Sequence, residues 1–183
     1  MKNANPAVVG LAGFGLTTLL LQFHNLGLIG LGPVVAMGFI FGGLAQFIAG
    51  FGESKVGNNF GFSAFVAYGS FWIGLGIIWL LNYYDIYKSS ATDVGYYLVA
   101  WTLYTAIMFI ASLRIHMAMT ITFLTLLLGF ILLDLAHFGI PGAKPFAAID
   151  LIICAGAAWY MMAAAIINDL ADKTVLPLGK KLI

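Results

Sequence analysis

Six long apolar stretches, each followed by a short polar break, organise the chain: about 7–23, 33–52, 60–81, 95–113, 116–136 and 147–171. Crossing the hydrocarbon of a bilayer takes a helix of roughly 20 mostly apolar residues, and each stretch is close to that length. The breaks carry recognisable helix ends. His24-Asn25 closes the first stretch, Pro33 suits the first turn of the second, and Gly57-Asn58-Asn59 forms a turn before the third. A polar segment with Ser89, Ser90, Thr92 and Asp93 leads into the fourth, and only Arg114-Ile115 divides the fourth from the fifth. Pro141-Gly142 and Pro145 precede the sixth. The longest run without a span, Tyr83 to Val94, is about a dozen residues, too short for an extramembrane domain. The pattern predicts an all-α, polytopic membrane protein with six transmembrane helices, one domain over residues 1–183.

Composition removes the soluble alternatives. Of 183 residues, 62% are hydrophobic and 8% charged, against roughly 25% charged in soluble domains. Eight basic and seven acidic side chains cannot cover a water-facing surface, and a formal charge of +1 cannot neutralise a run of phosphates, so nucleic acid is not a partner. Lys2 alone precedes the first apolar run, which holds Gln22 and His24 and no small-x-small cleavage pattern, so a removable signal peptide is not expected. With six spans, both termini share one side. That side collects Lys2, Lys55, Arg114, Lys173, Lys180 and Lys181, against Lys88 and Lys144 opposite. The asymmetry places the termini in the cytoplasm and the chain in the inner or plasma membrane.

Catalytic chemistry is not visible. The three histidines, His24, His116 and His137, fall at separate helix ends, with no ligand spacing for a metal. No phosphate loop, no Gly-x-Ser-x-Gly and no mid-span base beside a nucleophile occurs, so neither an enzyme nor a cofactor is expected. The single cysteine, Cys154, lies in an apolar stretch and reads as a small buried hydrophobe. Four carboxylates, Glu53, Asp134, Asp150 and Asp169, fall near predicted interfaces, where charge is tolerated. Uncharged polar residues within the spans say more. Thr17 and Thr18 lie in the first, Gln46 in the second, Ser63, Tyr68 and Ser70 in the third, Thr102, Tyr104 and Thr105 in the fourth, and Thr120, Thr122 and Thr125 in the fifth. The threonines have a structural reading as bonds to their own helix backbone. Gln46 is harder to absorb, because a mid-helix amide must satisfy several hydrogen bonds. It shares a face with Gly42 and, two turns on, Glu53. Among 22 glycines, Gly38-x-x-x-Gly42, Gly10, Gly13, Gly15, Gly69, Gly74 and Gly76 give small-residue faces that suit close helix contacts within the subunit, a subunit interface, or room for a permeating solute.

Specific strings carry a resemblance. Asn5-Pro6-Ala7, Gly10-Leu11 and Gly13-Phe14-Gly15-Leu16-Thr17-Thr18, then Gly42-Gly43-Leu44-Ala45-Gln46, Glu53, Gly57-Asn58 and Tyr68-Gly69-Ser70-Phe71-Trp72, resemble the acetate uptake transporter family. The likeness sits mostly in the first three helices, with Ala158-Trp159-Tyr160 in the last; Val8 replaces the usual second proline of the signature. It implies a homo-hexameric ring of six-span subunits, each with its own path for acetate or another small carboxylate. It also implies a hydrophobic constriction of a phenylalanine, a tyrosine and a leucine: Phe14, Tyr68 and, in the fifth helix, Leu124 with Leu127 as second choice. Asn5, Thr17, Thr18, Gln46 and Glu53 are expected along the path, where neutral donors would hold a carboxylate without trapping it. Glu53 is the acidic residue in a matched block and the place where a proton-coupled carrier would differ from a channel. Two other readings stay open: a pore for a neutral solute such as urea, and a membrane subunit without a path.

Overall fold

The computed structural model describes residues 4–183; Lys2, counted above for orientation, lies outside them. Six membrane-length helices follow one another in alternating directions: α1 Ala7–Asn25, α2 Gly32–Lys55, α3 Asn59–Tyr83, α4 Ala91–Ser112, α5 Met117–His137 and α6 Ala143–Leu170. Two begin about a turn earlier than the apolar pattern predicts. α4 starts at Ala91 because Ser90 and Asp93 close a capping box: the Ser90 hydroxyl accepts from the Asp93 N–H, and the Asp93 carboxylate accepts from the Ser90 N–H at 2.7 Å. α6 starts at Ala143 and takes Pro145 into its first turn, where a missing N–H costs nothing.

The odd-numbered helices run parallel from the terminal side, and they line the centre. α2 is not regular. Its middle, Ile40–Ala45, is a π-helical turn containing Gly42 and Gly43. The extra residue widens the helix where two neighbours approach most closely. A Cβ on Gly13 of α1 would collide with the Phe41 carbonyl, and one on Gly42 would lie 2.5 Å from the Thr17 hydroxyl. From the third side, a Cβ on Gly69 of α3 would come within 3.0 Å of backbone at Gly43 and Phe47. The glycines therefore join α1, α2 and α3 backbone to backbone, the association expected where lipid supplies no hydrophobic force.

The other half of the bundle is held differently. α6 packs against α1 and α5, with the Trp159 indole donating to the Ala12 carbonyl at 3.3 Å and the Cys154 thiol to the Thr122 carbonyl at 3.3 Å. Cys154 is fully buried. α4 packs chiefly on α5 and presents Leu103, Ile107 and Ile110 outward, one apolar row at helical spacing. The short turn between α4 and α5 is closed by His116, whose ring accepts from the Met119 N–H at 3.1 Å. Burial holds that imidazole below the usual histidine range, in the neutral form that accepting requires. The chain after α6 folds back over this turn. Leu178 offers its carbonyl to the Ala118 N–H, and Leu182 donates to Leu113, so helix-end groups of α4 and α5 are satisfied.

Candidate functional site

Three cavities lie end to end between α1, α3 and α5. On the terminal side is a lower chamber of about 70 Å³, lined by Ala7 and Leu11 of α1, Gln46 of α2, Asn58 at the head of α3, and Thr122 and Phe123 of α5. At the far side is a wider vestibule of about 350 Å³, bordered by His24, Asn25, His137 and Lys144 among apolar walls. Between them sits a middle chamber of about 30 Å³, room for one or two waters.

Three residues belong to the walls of both the lower and the middle chamber: Phe14, Tyr68 and Leu126. All three are more than nine-tenths buried. The rings of Phe14 and Tyr68 meet edge to face, 6.0 Å between centroids. The Tyr68 hydroxyl points away from the axis and bonds the fully buried Thr105 hydroxyl at 2.8 Å. Trp101, Tyr104 and Phe123 surround the same ring. Tyr68 is therefore fixed by its tip and sides and presents hydrocarbon to the axis.

The expected fifth-helix residue is corrected. Leu124 is 40% exposed on the outer face and lines none of these cavities; the α5 leucine that borders both chambers is Leu126. Helical periodicity explains it. Thr122, Phe123, Leu126, Phe130 and Leu133 follow at i, i+1, i+4, i+8 and i+11 and form the inward face of α5, which Leu124 and Leu127 do not share.

The expected path residues separate. Gln46 is 1% exposed, lines the lower chamber, and leaves its Oε1 without a partner. Thr18 lines the middle chamber. Glu53 is buried behind the chamber wall: its Oε2 accepts from the Asn58 amide at 2.7 Å while its Oε1 is unpartnered, and Asn58 in turn reaches the chamber. Asn5 is exposed and accepts from the Ala7 N–H at 3.0 Å, so it acts on the start of α1. Thr17 faces Gly42 and donates to the Met37 carbonyl at 3.4 Å; it packs α1 against α2 and borders none of the three cavities.

Several lining groups were not predicted as site residues. Asn58 belongs by sequence to the turn before α3, and it caps that helix by accepting from Gly61 while its amide donates to Glu53. Gln22, in the sequence only an argument against a signal peptide, is another. It lines the middle chamber, donating to the Thr18 carbonyl and accepting from Asn25. A polar side chain four residues after Thr18 on an otherwise apolar helix was the available signal. Among the described residues, no group of three His, Cys, Asp or Glu could hold a metal ion.

Comparison with known proteins gives a consistent set of relatives. Residues 1–178 match the profile of the GPR1/FUN34/yaaH family. The succinate-acetate/proton symporter SatP of Escherichia coli K12 is 39% identical over 182 residues, covering 98% of this chain and 97% of that protein. Acetate permease A of Emericella nidulans is 32% identical over 97% of this chain and 66% of its own length. The solved structure of the bacterial acetate channel SatP superposes with a TM-score of 0.94 at 39% identity, over 97% of this chain and all of that one.

Proposed function

The chain belongs to the GPR1/FUN34/yaaH family, and from that membership we propose that it carries acetate and similar short carboxylates across a membrane through a path within each subunit. The observation that carries the reading is the stack of three cavities with Phe14, Tyr68 and Leu126 shared by two of them. These three form the size filter. An apolar ring drains of water when closed and passes a solute only when that solute is thin enough to displace side chains. The lower chamber provides what the ring does not: the unpartnered Gln46 amide and the Asn58 side chain can hydrogen-bond a carboxylate without a fixed positive charge to trap it. Such weak retention suits conduction.

Glu53 is the group we assign to the proton. It is 2% exposed, has one oxygen free, and sits one side chain from the chamber. Glu53→Gln keeps an oxygen to accept from Asn58 but cannot take up a proton. Acid outside vesicles should then accelerate acetate entry no more than it does in protein-free liposomes, a loss of about tenfold in the protein-dependent acceleration. Full acceleration in the variant would leave Glu53 as a structural partner of Asn58 alone.

Subunits of this kind assemble, on our reading, as a hexamer in the cytoplasmic or plasma membrane, with termini inside. Among the described residues, Lys55, Arg114, Lys173, Lys180 and Lys181 lie on the terminal side and Lys88 and Lys144 opposite. The role is transport rather than catalysis.

Reconstitution decides the solute. Purified protein in liposomes should raise labelled acetate entry well above protein-free vesicles and leave urea entry unchanged. Urea flux equal to acetate flux would make this a neutral-solute pore, and flux of neither would make it a subunit without a path.

A further inference from the structure

The middle chamber has a second boundary. Only Leu21, Phe71 and Leu133 belong both to its walls and to those of the vestibule, and each is at least nine-tenths buried. Like the first ring, they come one from each of α1, α3 and α5. Leu21 follows Phe14 by seven residues and Leu133 follows Leu126 by seven, two helical turns or about 10 Å along one face. Phe71 follows Tyr68 by three. We propose that Leu21, Phe71 and Leu133 form a second, independent size filter in series with the first, so that a carboxylate passes two apolar rings separated by a small occluded chamber.

The two rings are built alike. Each has an aromatic wall held by its neighbours, Tyr68 in the first and Phe71 in the second, and at least one leucine that can change rotamer. Phe71 stacks on Tyr97 at 5.7 Å and meets Trp101, Phe130 and Trp72 edge to face at 5.3, 5.5 and 5.2 Å. The Tyr97 hydroxyl also donates to the Phe71 carbonyl at 2.8 Å. Trp101 braces Phe71 and Tyr68 together. Leu21 and Leu133 carry no such restraint and can change rotamer as a solute passes. A chamber with room for one or two waters cannot hold a carboxylate with its hydration shell. The ion must therefore arrive stripped of most of its water.

The proposal borrows from the transport reading only the identity of the solute, and it is tested without transport. Thr18→Cys places a thiol in the middle chamber, and labelling by a small charged thiosulfonate is followed from each face in sealed vesicles of opposite sidedness. The native Cys154 is fully buried and reports misfolding, since it reacts only when the bundle opens. With two filters, Leu133→Ala should speed labelling from the vestibule face about tenfold and leave the terminal-face rate unchanged, while Leu126→Ala should do the reverse. Val94→Cys, on the vestibule wall, should react rapidly in every background. The idea is overturned if Leu133→Ala leaves the vestibule-face rate as it was, or raises both rates equally, while Cys154 remains protected. Should Leu133→Ala expose Cys154, Leu133→Val replaces it, with the same side-selective increase required. Acetate flux of the unmodified protein is measured in parallel; its absence would sink the transport reading and leave the labelling result standing.

Discussion

Leu126→Ala will raise butyrate entry relative to acetate by about tenfold, and Leu124→Ala will leave the ratio unchanged. The two leucines are two residues apart on one helix, with similar local backbone. What differs is their face: Leu126 is 4% exposed and shared by two chambers, whereas Leu124 is 40% exposed and borders neither. Truncating a side chain that touches the solute removes contact and steric exclusion worth on the order of 1–3 kcal/mol per carbon. An outward leucine has no means of doing so. Phe14→Ala should act in the same direction as Leu126→Ala. Tyr68→Ala is a poorer probe, because it also strands Thr105 and removes the ring that Trp101, Tyr104 and Phe123 pack on. Resistances in series add, so once the first ring is widened, Leu21, Phe71 and Leu133 set the remaining limit. Combining Leu126→Ala with Leu133→Ala should carry the gain to longer acids than either alone. A chain-length profile of reconstituted flux reads all of these. Equal profiles for Leu124→Ala and Leu126→Ala would remove Leu126 from the ring.

The helices were legible because lipid demands length and apolarity, and both are written plainly in the sequence. Helix ends were less so. α4 gained its first turn from Ser90 and Asp93, whose polarity had marked them as loop although their spacing is that of a capping box. Phe14 and Tyr68 came from the family resemblance, which fixes them within Gly-Phe-Gly and Tyr-Gly-Ser-Phe-Trp, and both border two chambers. Leu126 was not placed, because leucines occupy most of the middle of α5, from Leu124 to Leu128, and the threonines at 120, 122 and 125 point to more than one face. Only the partners of Thr122, Phe123 and Phe130 reveal which face that is. Thr17 shows the opposite failure. Its hydroxyl suggested a solute path, yet the adjacent helix presents Gly42 to it, and the pair is a packing contact. Polar character along a membrane helix marks a need for a partner, and that partner is as often backbone as solute.

Gly13→Ala will cost the fold about 3 kcal/mol or more, a large share of the roughly 5–15 kcal/mol that holds most domains together. Its added methyl would meet the Phe41 carbonyl at less than contact distance, and a carbonyl oxygen within the π-helical turn cannot rotate aside. Either α1 retreats from α2, or the widened turn rearranges. Both responses displace Phe14, the next residue on α1, and with it one wall of the ring. Gly129→Ala is the informative contrast. There the new methyl meets the Leu151 side chain, which can change rotamer, so the loss should be smaller despite an equally crowded starting geometry. Gly30→Ala meets nothing within 4 Å and should be neutral. Thermal unfolding in detergent, followed by labelling of Cys154, ranks the three. The order Gly13, Gly129, Gly30 is required, because the tightness of the α1–α2 crossing is what sets the width of the path beside it. A midpoint for Gly13→Ala equal to that of Gly30→Ala would mean that α1 can move outward at no cost, and a helix free to move in that way could not hold Phe14 as a filter.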